Sequence, residues 1–207
     1  MNLHLSKILI ERSRPLVPYE WHQMLWHLFP SPPGAPRPYL FRVEEQAAGS
    51  TQILLQSNRQ PLFGAAVDDA LVRVLDTRPV KPQLEVGQHL RFRLTVNPTV
   101  QRRVLKPDPH AAGHTRCRKA RVPLPEEEQY AWLAARIGDA AQMEQAQIRE
   151  RQTLHFRTKA GAAGTVVTVR IEGTMTVRDP QQLTGLLARG IGPAKSMGCG
   201  LLSLAPG

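Results

Sequence analysis

Apolar and polar residues follow one another along the first hundred positions in a pattern that predicts several strands and one helix. Residues 3–10 are mostly apolar and predict a buried strand, whereas 19–29 carries apolar side chains at helical spacing. Apolar runs at 39–43 and 52–56 predict a strand pair, and 89–96 alternates strictly between apolar and polar residues. This order matches a ferredoxin-like split βαβ unit whose second helix is poorly marked.

The second half of the chain repeats this succession of helices and strands. A helix is predicted over 126–137, with acidic residues in its first turn and a glycine just after its end. Residues 153–159 and 165–177 predict a strand pair, 180–189 a second helix and 199–204 a final strand. We therefore predict an α+β fold with two tandem ferredoxin-like (RRM-like) domains joined by a basic linker.

The chain of 207 residues is strongly basic, with 27 Lys and Arg against 17 Asp and Glu and a net charge of +10. A folded chain with this charge is expected to bind a polyanion, most often a nucleic acid. The charge concentrates in 101–121, where one acid accompanies seven basic residues, namely Arg102, Arg103, Lys106, Arg116, Arg118, Lys119 and Arg121. Prolines and a glycine in this segment predict a loop or irregular hairpin, which is either a solvated linker or an arm that docks on phosphates.

These patterns divide the chain into three parts. We expect an N-terminal ferredoxin-like domain over 1–98, the basic linker or hairpin over 99–118 and a C-terminal ferredoxin-like domain over 119–207. No apolar run reaches the roughly 18 residues that a membrane span needs, and no signal peptide is apparent. With only two cysteines, the chain has no disulfide framework, which favours a reducing, cytoplasmic setting.

Three potential metal ligands, His110, His114 and Cys117, lie within the basic segment. A fourth ligand is not evident nearby, and the surrounding positive charge disfavours a cation. No pair of carboxylates stands out as a magnesium cluster of the kind that two-metal nucleases use. We therefore predict no metal site and no cofactor.

The helix predicted at 19–29 carries the first candidate chemistry. Its apolar side chains gather on one side, whereas Tyr19 and His22 are neighbours, three residues apart, on the opposite side. A histidine can give or take a proton near neutral pH, and a phenol beside it can donate a hydrogen bond or orient the ring. The alternative is a surface histidine with no task, and His27 on the flank of the helix is assigned to that class.

A second candidate is the glycine-rich stretch Gly190–Gly200, which follows the last predicted helix. Such a loop lets backbone amides approach an anion closely, and Lys195 and Ser196 add a positive charge and a hydroxyl group. Its spacing fits neither a Walker A loop nor a dinucleotide-binding fingerprint. An ordinary connection from helix to strand is the alternative.

Five segments occur in this chain in a characteristic order: Ser6-Lys7, Leu25–Pro30, Leu54–Ser57, Phe92–Pro98 and Gly190–Pro206. In combination they closely resemble the CasE family, the CRISPR-associated endoribonucleases of type I-E systems. The resemblance runs essentially from end to end, and the glycine-rich block is its most specific motif.

The resemblance implies two ferredoxin-like domains in tandem and a nuclease that cuts the repeat portion of precursor CRISPR RNA at the base of a stem-loop, without a metal. The family keeps its product and joins the multi-subunit complex called Cascade. Its catalytic histidine matches His22, and the tyrosine that some members place three residues earlier matches Tyr19. We expect the isolated chain to be a monomer whose partners are the repeat RNA and other Cascade subunits, not a membrane.

The resemblance also assigns residues to the RNA. The glycine-rich loop, here with Gly192, Ser196 and Gly198, lines the RNA site of the family. Basic residues on a hairpin of the second domain enter the groove of the stem, and Arg157 and Lys159 are the candidates in this chain.

The expected reaction uses the 2′-OH of the RNA as the nucleophile and gives a 2′,3′-cyclic phosphate and a 5′-OH. His22 acts as general acid or general base, Tyr19 assists or orients, and Lys195 stabilises charge on the phosphorane. Two other functions would also account for the basic charge of the chain. A non-catalytic subunit that binds RNA hairpins would not need Tyr19 and His22, and a basic assembly protein would bind unrelated hairpins equally well at fixed salt.

Overall fold

The computed structural model describes residues 2–14, 16–67, 70–107, 115–157 and 163–207. The first sheet and its helix comprise β1 (Leu3–Arg12), α1 (Pro18–Trp26), β2 (Tyr39–Ala47), β3 (Ser50–Ser57), β4 (Gly64–Val67) and β5 (Ala70–Val80). The later elements are β6 (His89–Val96), β7 (Thr99–Pro107), β8 (Thr115–Pro123), α2 (Glu126–Ile137), β9 (Ala141–Arg157), β10 (Ala163–Val177), α3 (Pro180–Arg189) and β11 (Leu202–Pro206). Short 3-10 turns follow α2 and precede β11, at Gly138–Ala140 and Lys195–Met197.

The first sheet has the strand order β2-β3-β1-β5-β4, and all its neighbouring strands are antiparallel. Strands β2, β3, β1 and β5 have the strand order of a ferredoxin-like sheet, and β4 is added at its edge. This arrangement confirms the predicted fold class. Helix α1 covers one face because Trp21, Met24 and Leu25 form a buried apolar stripe against the sheet. The helix ends at Trp26, earlier than the predicted residue 29, and Leu28 adds to the same core just after it. Between β3 and β5 the described residues form strand β4, and no second helix occurs among them.

The second sheet has the order β11-β6-β10-β9 and, with α2 and α3, completes a β-α-β-β-α-β ferredoxin-like unit. Strand β6 forms as predicted over 89–96, but it pairs with β10 and β11. The prediction that this strand belongs to an N-terminal unit of 1–98 is therefore wrong. Alternation of apolar and polar residues identifies a strand but carries no information about its partner.

The two helices of the second unit begin and end where the sequence predicts. Asp179 caps α3, because its Oδ1 accepts hydrogen bonds from the backbone N–H groups of Gln181 and Gln182 at 2.9 and 3.0 Å. Gly190 follows the last turn with a positive φ of 71°. In the described ranges no helix is long and apolar enough to cross a membrane.

The basic segment is a hairpin. Strands β7 and β8 form a separate two-stranded sheet, inserted between β6 and α2 of the second unit. The sequence leaves two alternatives for 99–118, a hairpin or a linker, and the structure shows strands of a hairpin there. The connection between the two sheets is formed by residues 81–88. The register places Arg103 opposite Lys119, and both side chains are exposed. Like charges directly opposite each other repel, so this hairpin favours a bound anion.

The two units contact each other through the second half of the chain. Gln56 donates from Nε2 to the carbonyl oxygen of Leu187 at 2.6 Å. Gly190 lies against Leu40, so closely that a Cβ at this position would come within 2.8 Å of the leucine Cδ1. The glycine-rich loop is thereby held between α3 and the first sheet, next to α1.

Candidate active site

Helix α1 presents the predicted catalytic histidine. Pro18 stands in the first turn, and Glu20 accepts a hydrogen bond from the backbone N–H of Val17 at 2.9 Å, which fixes the start of the helix. Glu20 also forms ion pairs with Arg12 and Arg14 at 3.1 and 2.5 Å. Because the opposite side of α1 forms the core, His22 is left half-buried at the surface of the first unit.

The imidazole of His22 is held by a tyrosine from the neighbouring strand. The Tyr39 hydroxyl lies 2.9 Å from His22 Nδ1 and 2.9 Å from the backbone carbonyl oxygen of His22. The rings of Tyr19, Trp26 and Tyr39 surround the imidazole at centroid distances of 6.4, 5.8 and 6.0 Å. The predicted pair of Tyr19 and His22 is therefore part of an aromatic cluster that restricts the imidazole.

Arg37 supplies positive charge beside this cluster. Its guanidinium lies over the Tyr39 ring, 5.7 Å from the centroid. Burial first, and then the charge of Arg37, lower the pKa of His22 below its ordinary value. The Nε of Arg37 is buried and has no hydrogen-bond partner among the described residues. A buried N–H group without a partner is suited to donate to a bound acceptor such as a phosphate oxygen.

Lys195 lies in the 3-10 turn that packs against α1. Its Nζ donates to the carbonyl oxygen of Arg189, at the end of α3, at 2.5 Å. Burial, then Arg37, then Arg189 lower the pKa of Lys195, which places these cations in one region. An ammonium has three donors, so the contact to Arg189 leaves capacity for an anion.

The glycine-rich loop has a structural requirement for its glycines. Gly192 and Gly198 adopt φ values of 78° and 82°, in the left-handed region that side chains disfavour. A Cβ on Gly192 would meet the Trp132 ring at 2.9 Å, and one on Gly198 would meet the Phe41 ring at 3.3 Å. Ser196 is half-buried in the same turn as Lys195. The loop thus brings Lys195 to α1, whereas an RNA contact by Gly192, Ser196 or Gly198 stays a prediction.

The hairpin between β9 and β10 reaches the N-terminal end of α1. An open groove of about 680 Å³ lies between them and is lined by Val17, Tyr19, Glu20, His155, Phe156, Ala163, Gly164 and Thr165. Of the two candidates for the groove of the RNA stem, Arg157 is the last residue of β9, and Lys159 lies outside the described residues. The part of the hairpin that is described therefore borders the predicted catalytic helix.

The structure does not join the remaining predicted residues to His22. Arg102, Arg103, Lys119 and Arg121 are exposed on the β7–β8 hairpin, and Lys106, Arg116 and Arg118 belong to the same two strands. Cys117 is an exposed free thiol on β8, and His110 and His114 lie outside the described residues. Among the described residues, no group of three or more His, Cys, Asp or Glu side chains is placed to hold a metal ion.

Arg37 and Tyr39 are candidate site residues that the sequence alone does not identify. The sequence predicts a strand over 39–43, and nothing in that pattern distinguishes Tyr39 from an ordinary core residue. The available signal was the phenol itself, because a buried tyrosine hydroxyl usually finds a hydrogen-bond partner. In a ferredoxin-like unit the strand after α1 lies on the same sheet that α1 covers, which makes a side chain of the helix a candidate partner.

Comparison of the whole chain with known proteins gives a consistent result. The family model described as CRISPR associated protein matches residues 3–206. The chain is 41% identical to CRISPR system Cascade subunit CasE of Escherichia coli (strain K12) over 206 residues, covering 99% of this chain and 100% of that protein. It is 31% identical to CRISPR-associated endoribonuclease Cse3 of Thermus thermophilus over 166 residues, covering 74% of this chain and 72% of that protein.

Solved structures agree with the sequence relatives. The crystal structure of the CRISPR-associated protein Cas6e from Escherichia coli K-12 superposes with a TM-score of 0.80 at 38% identity, covering 98% of this chain and 99% of that one. A Thermus thermophilus Cse3 structure, bound to an RNA representing a pre-cleavage complex, has a TM-score of 0.74 at 26% identity and full coverage of both chains. The chain belongs to the CasE family of CRISPR-associated proteins.

Proposed function

We propose that this chain is a metal-independent endoribonuclease that cuts CRISPR repeat RNA at the base of its stem-loop and retains the mature CRISPR RNA as a subunit of Cascade. Its relatives include a protein named Cascade subunit CasE and one named endoribonuclease Cse3. A Cse3 structure at 26% identity holds RNA in a pre-cleavage complex.

The observation that carries the proposal is the grouping of a restrained histidine with two cations. His22 is bonded to Tyr39, whose ring lies 5.7 Å from the Arg37 guanidinium, and Lys195 stands in the 3-10 turn that packs against α1. A proton-transfer group beside a pair of cations suits attack on a phosphodiester, because negative charge develops on the phosphoryl oxygens. RNA supplies its own nucleophile in the 2′-OH, so the proposed reaction leaves a 2′,3′-cyclic phosphate and a 5′-OH.

The chain also offers two hairpins for the RNA stem. One is the basic β7–β8 hairpin with its exposed arginines and Lys119, and the other is the β9–β10 hairpin, which borders a groove beside Tyr19. Contacts to phosphates and to the shape of the helix dominate recognition of double-stranded RNA. We propose that these hairpins hold the stem while α1 and the glycine-rich loop face the cut site.

The test is cleavage of labelled repeat RNA by the purified chain in excess chelator, with both ends of the product mapped. Wild-type protein is expected to give a 2′,3′-cyclic phosphate and a 5′-OH. His22→Ala should lower the single-turnover rate by about 10²–10⁴-fold with little change in RNA affinity, since general acid–base catalysis contributes that much. His27→Ala, on an exposed histidine of the same segment, is the matched control and should cut normally.

Two results would contradict the proposal. A substrate with a single 2′-deoxy substitution upstream of the cut should not react, and its cleavage would refute attack by the 2′-OH. A large loss of RNA affinity in His22→Ala, with normal cleavage of the RNA that binds, would make His22 a binding residue instead.

A further inference from the structure

The Tyr39 hydroxyl has two neighbours but a single proton to donate. It lies 2.9 Å from the carbonyl oxygen of His22 and 2.9 Å from Nδ1 of the same residue. A carbonyl oxygen can only accept, so the Tyr39 hydroxyl must direct its proton at the carbonyl oxygen of His22 for these two oxygens to lie 2.9 Å apart. With its proton used there, the Tyr39 oxygen must accept from the imidazole, and Nδ1 must therefore carry a hydrogen.

The phenol is suited to keep this arrangement over a wide pH range. Burial raises the pKa of Tyr39 well above its ordinary value, and the nearby charge of Arg37 offsets only part of that effect. The ring is 3% exposed and stacks on Phe29 at a centroid distance of 5.2 Å. The hydroxyl is consequently a protonated group at neutral pH, held at the end of a packed side chain.

We propose that Tyr39 is the positioning residue of the active site, and that it holds His22 in the Nδ1–H tautomer so that Nε2 is the atom that exchanges a proton with the RNA. The inference rests on the proposed endoribonuclease function and adds a residue to it. Within the described part of the chain, the side-chain hydrogen bond of His22 is to Tyr39 alone, which leaves Nε2 for the substrate. The tautomer of a histidine is set by the hydrogen bond that its other nitrogen makes.

The chemistry follows from this tautomer. Neutral His22 takes the 2′-OH proton at Nε2, the 2′-oxygen forms a bond to phosphorus, and the bond from phosphorus to the 5′-oxygen breaks. The 5′-oxygen leaves with the bonding electrons and takes a proton from water, and the imidazolium then returns its proton to the hydroxide formed. During this cycle the positive imidazolium keeps its Nδ1–H on Tyr39, so the ring does not have to turn between steps.

Tyr39→Phe tests the inference because it removes only the hydroxyl and keeps the packed ring. Its matched control is Tyr130→Phe, which also removes a single bonded hydroxyl: Tyr130 accepts a hydrogen bond from the backbone N–H of Ile148 at 3.2 Å, in the second unit. We expect Tyr39→Phe to slow single-turnover cleavage at saturating RNA by about tenfold to a hundredfold, because the imidazole is no longer oriented. Tyr130→Phe should cut at the wild-type rate, and RNA affinity should be unchanged in both variants.

A spectroscopic readout separates positioning from a loss of structure. In protein labelled with ¹⁵N-histidine, the nitrogen shifts of His22 should report hydrogen on Nδ1, with the signals assigned by their absence in His22→Ala. In Tyr39→Phe they should move towards the Nε2–H tautomer. The pH profile of cleavage should also change in Tyr39→Phe, whereas Arg37, from the segment before β2, remains the charged group that acts on the imidazole.

The outcomes distinguish this inference from the function on which it rests. If Tyr39→Phe cuts at the wild-type rate while His22→Ala is inactive, the positioning role is refuted and the nuclease function stands. Wild-type ¹⁵N shifts that place the hydrogen on Nε2 would also overturn the inference. If His22→Ala itself cuts normally, the catalytic role of His22 fails and the inference fails with it, whereas the proposed function fails only if the wild-type protein does not cut repeat RNA in excess chelator.

Discussion

Arg42 is a buried cation whose removal should have a large effect on stability. It lies on β2 of the first sheet and is only 3% exposed. Its Nη1 reaches into the second unit and donates to Ser203 Oγ at 3.0 Å, the Leu201 carbonyl at 3.3 Å and the Arg93 carbonyl at 3.4 Å. Its Nε and Nη2 contact Glu44 Oε1 at 2.8 and 2.6 Å. The perturbation of interest is Arg42→Ala.

The magnitude follows from the groups that lose a partner. The three acceptors of the second unit would each lose a donor in a buried interface, at about 1–3 kcal/mol for any that stays unsatisfied. Glu44 is about one-third exposed, so water can solvate it and its loss of the arginine costs little. Three such losses would add to about 3–9 kcal/mol if water reached none of the acceptors, and because the bonds to Ser203 and Arg93 are only part-buried we expect about 3–5 kcal/mol. That is a large part of the roughly 5–15 kcal/mol that stabilises a typical domain.

Urea denaturation, followed by tryptophan fluorescence, measures this change. Arg42→Ala should lower the free energy of unfolding by the amount given above, whereas Ser203→Ala should lower it by about 0.5–1.5 kcal/mol. The matched control is Arg91→Ala on the exposed side of β6, where Nε donates to the Pro206 carbonyl at 3.0 Å. A free energy of unfolding for Arg42→Ala within about 0.5 kcal/mol of the wild type would refute this account of the interface.

Two further predictions concern the site and the basic hairpin. Arg37→Gln removes a positive charge that lowers the pKa of His22, so that pKa should rise, and the loss of cleavage on the acidic side should move to higher pH in single-turnover assays. An acidic limb that stays in place or moves to lower pH would contradict the proposed effect of Arg37. Replacing Arg103 and Lys119 together by alanine should reduce the slope of log affinity for repeat RNA against log salt by about two, one for each phosphate contact, in filter-binding titrations. The wild-type slope in that double variant would show that the hairpin does not touch the RNA backbone.

Local signals in the sequence predicted the elements of the fold well, because those elements are determined by short-range chemistry. Helix α3 has a cap at Asp179 and a glycine after its last turn, and both are visible without a structure. The sequence predicts only the last part of β9, because the strand begins at Ala141 and the predicted strand begins at residue 153. The pairing of β9 with β10 shifts register after Arg170 and after Thr174. Such irregularities interrupt the strict alternation of apolar and polar residues that indicates a strand. Pairing partners are long-range, which is why β6 was placed with the wrong sheet.

The residues of the candidate site likewise fall into two groups, those that the sequence predicts and those that only the packed structure shows. His22 and Lys195 were predicted from helical spacing, a glycine-rich loop and resemblance to a family. Tyr39 and Arg37 were not, because their role depends on where β2 lies relative to α1. A hydrogen bond between residues 17 positions apart is a property of the packed structure, and neither residue type signals it alone.

The two ends of the basic hairpin meet at its base, where the backbone N–H of Leu124 donates to the carbonyl oxygen of Pro98 at 3.0 Å. Both ends therefore leave one body, the ferredoxin-like unit formed by β6, α2 and the strands that follow. Lengthening or shortening this arm would leave that scaffold unchanged. In the proposed function, the length of duplex that the arm contacts could therefore change without any change at α1, so RNA binding and RNA cleavage would be structurally separable.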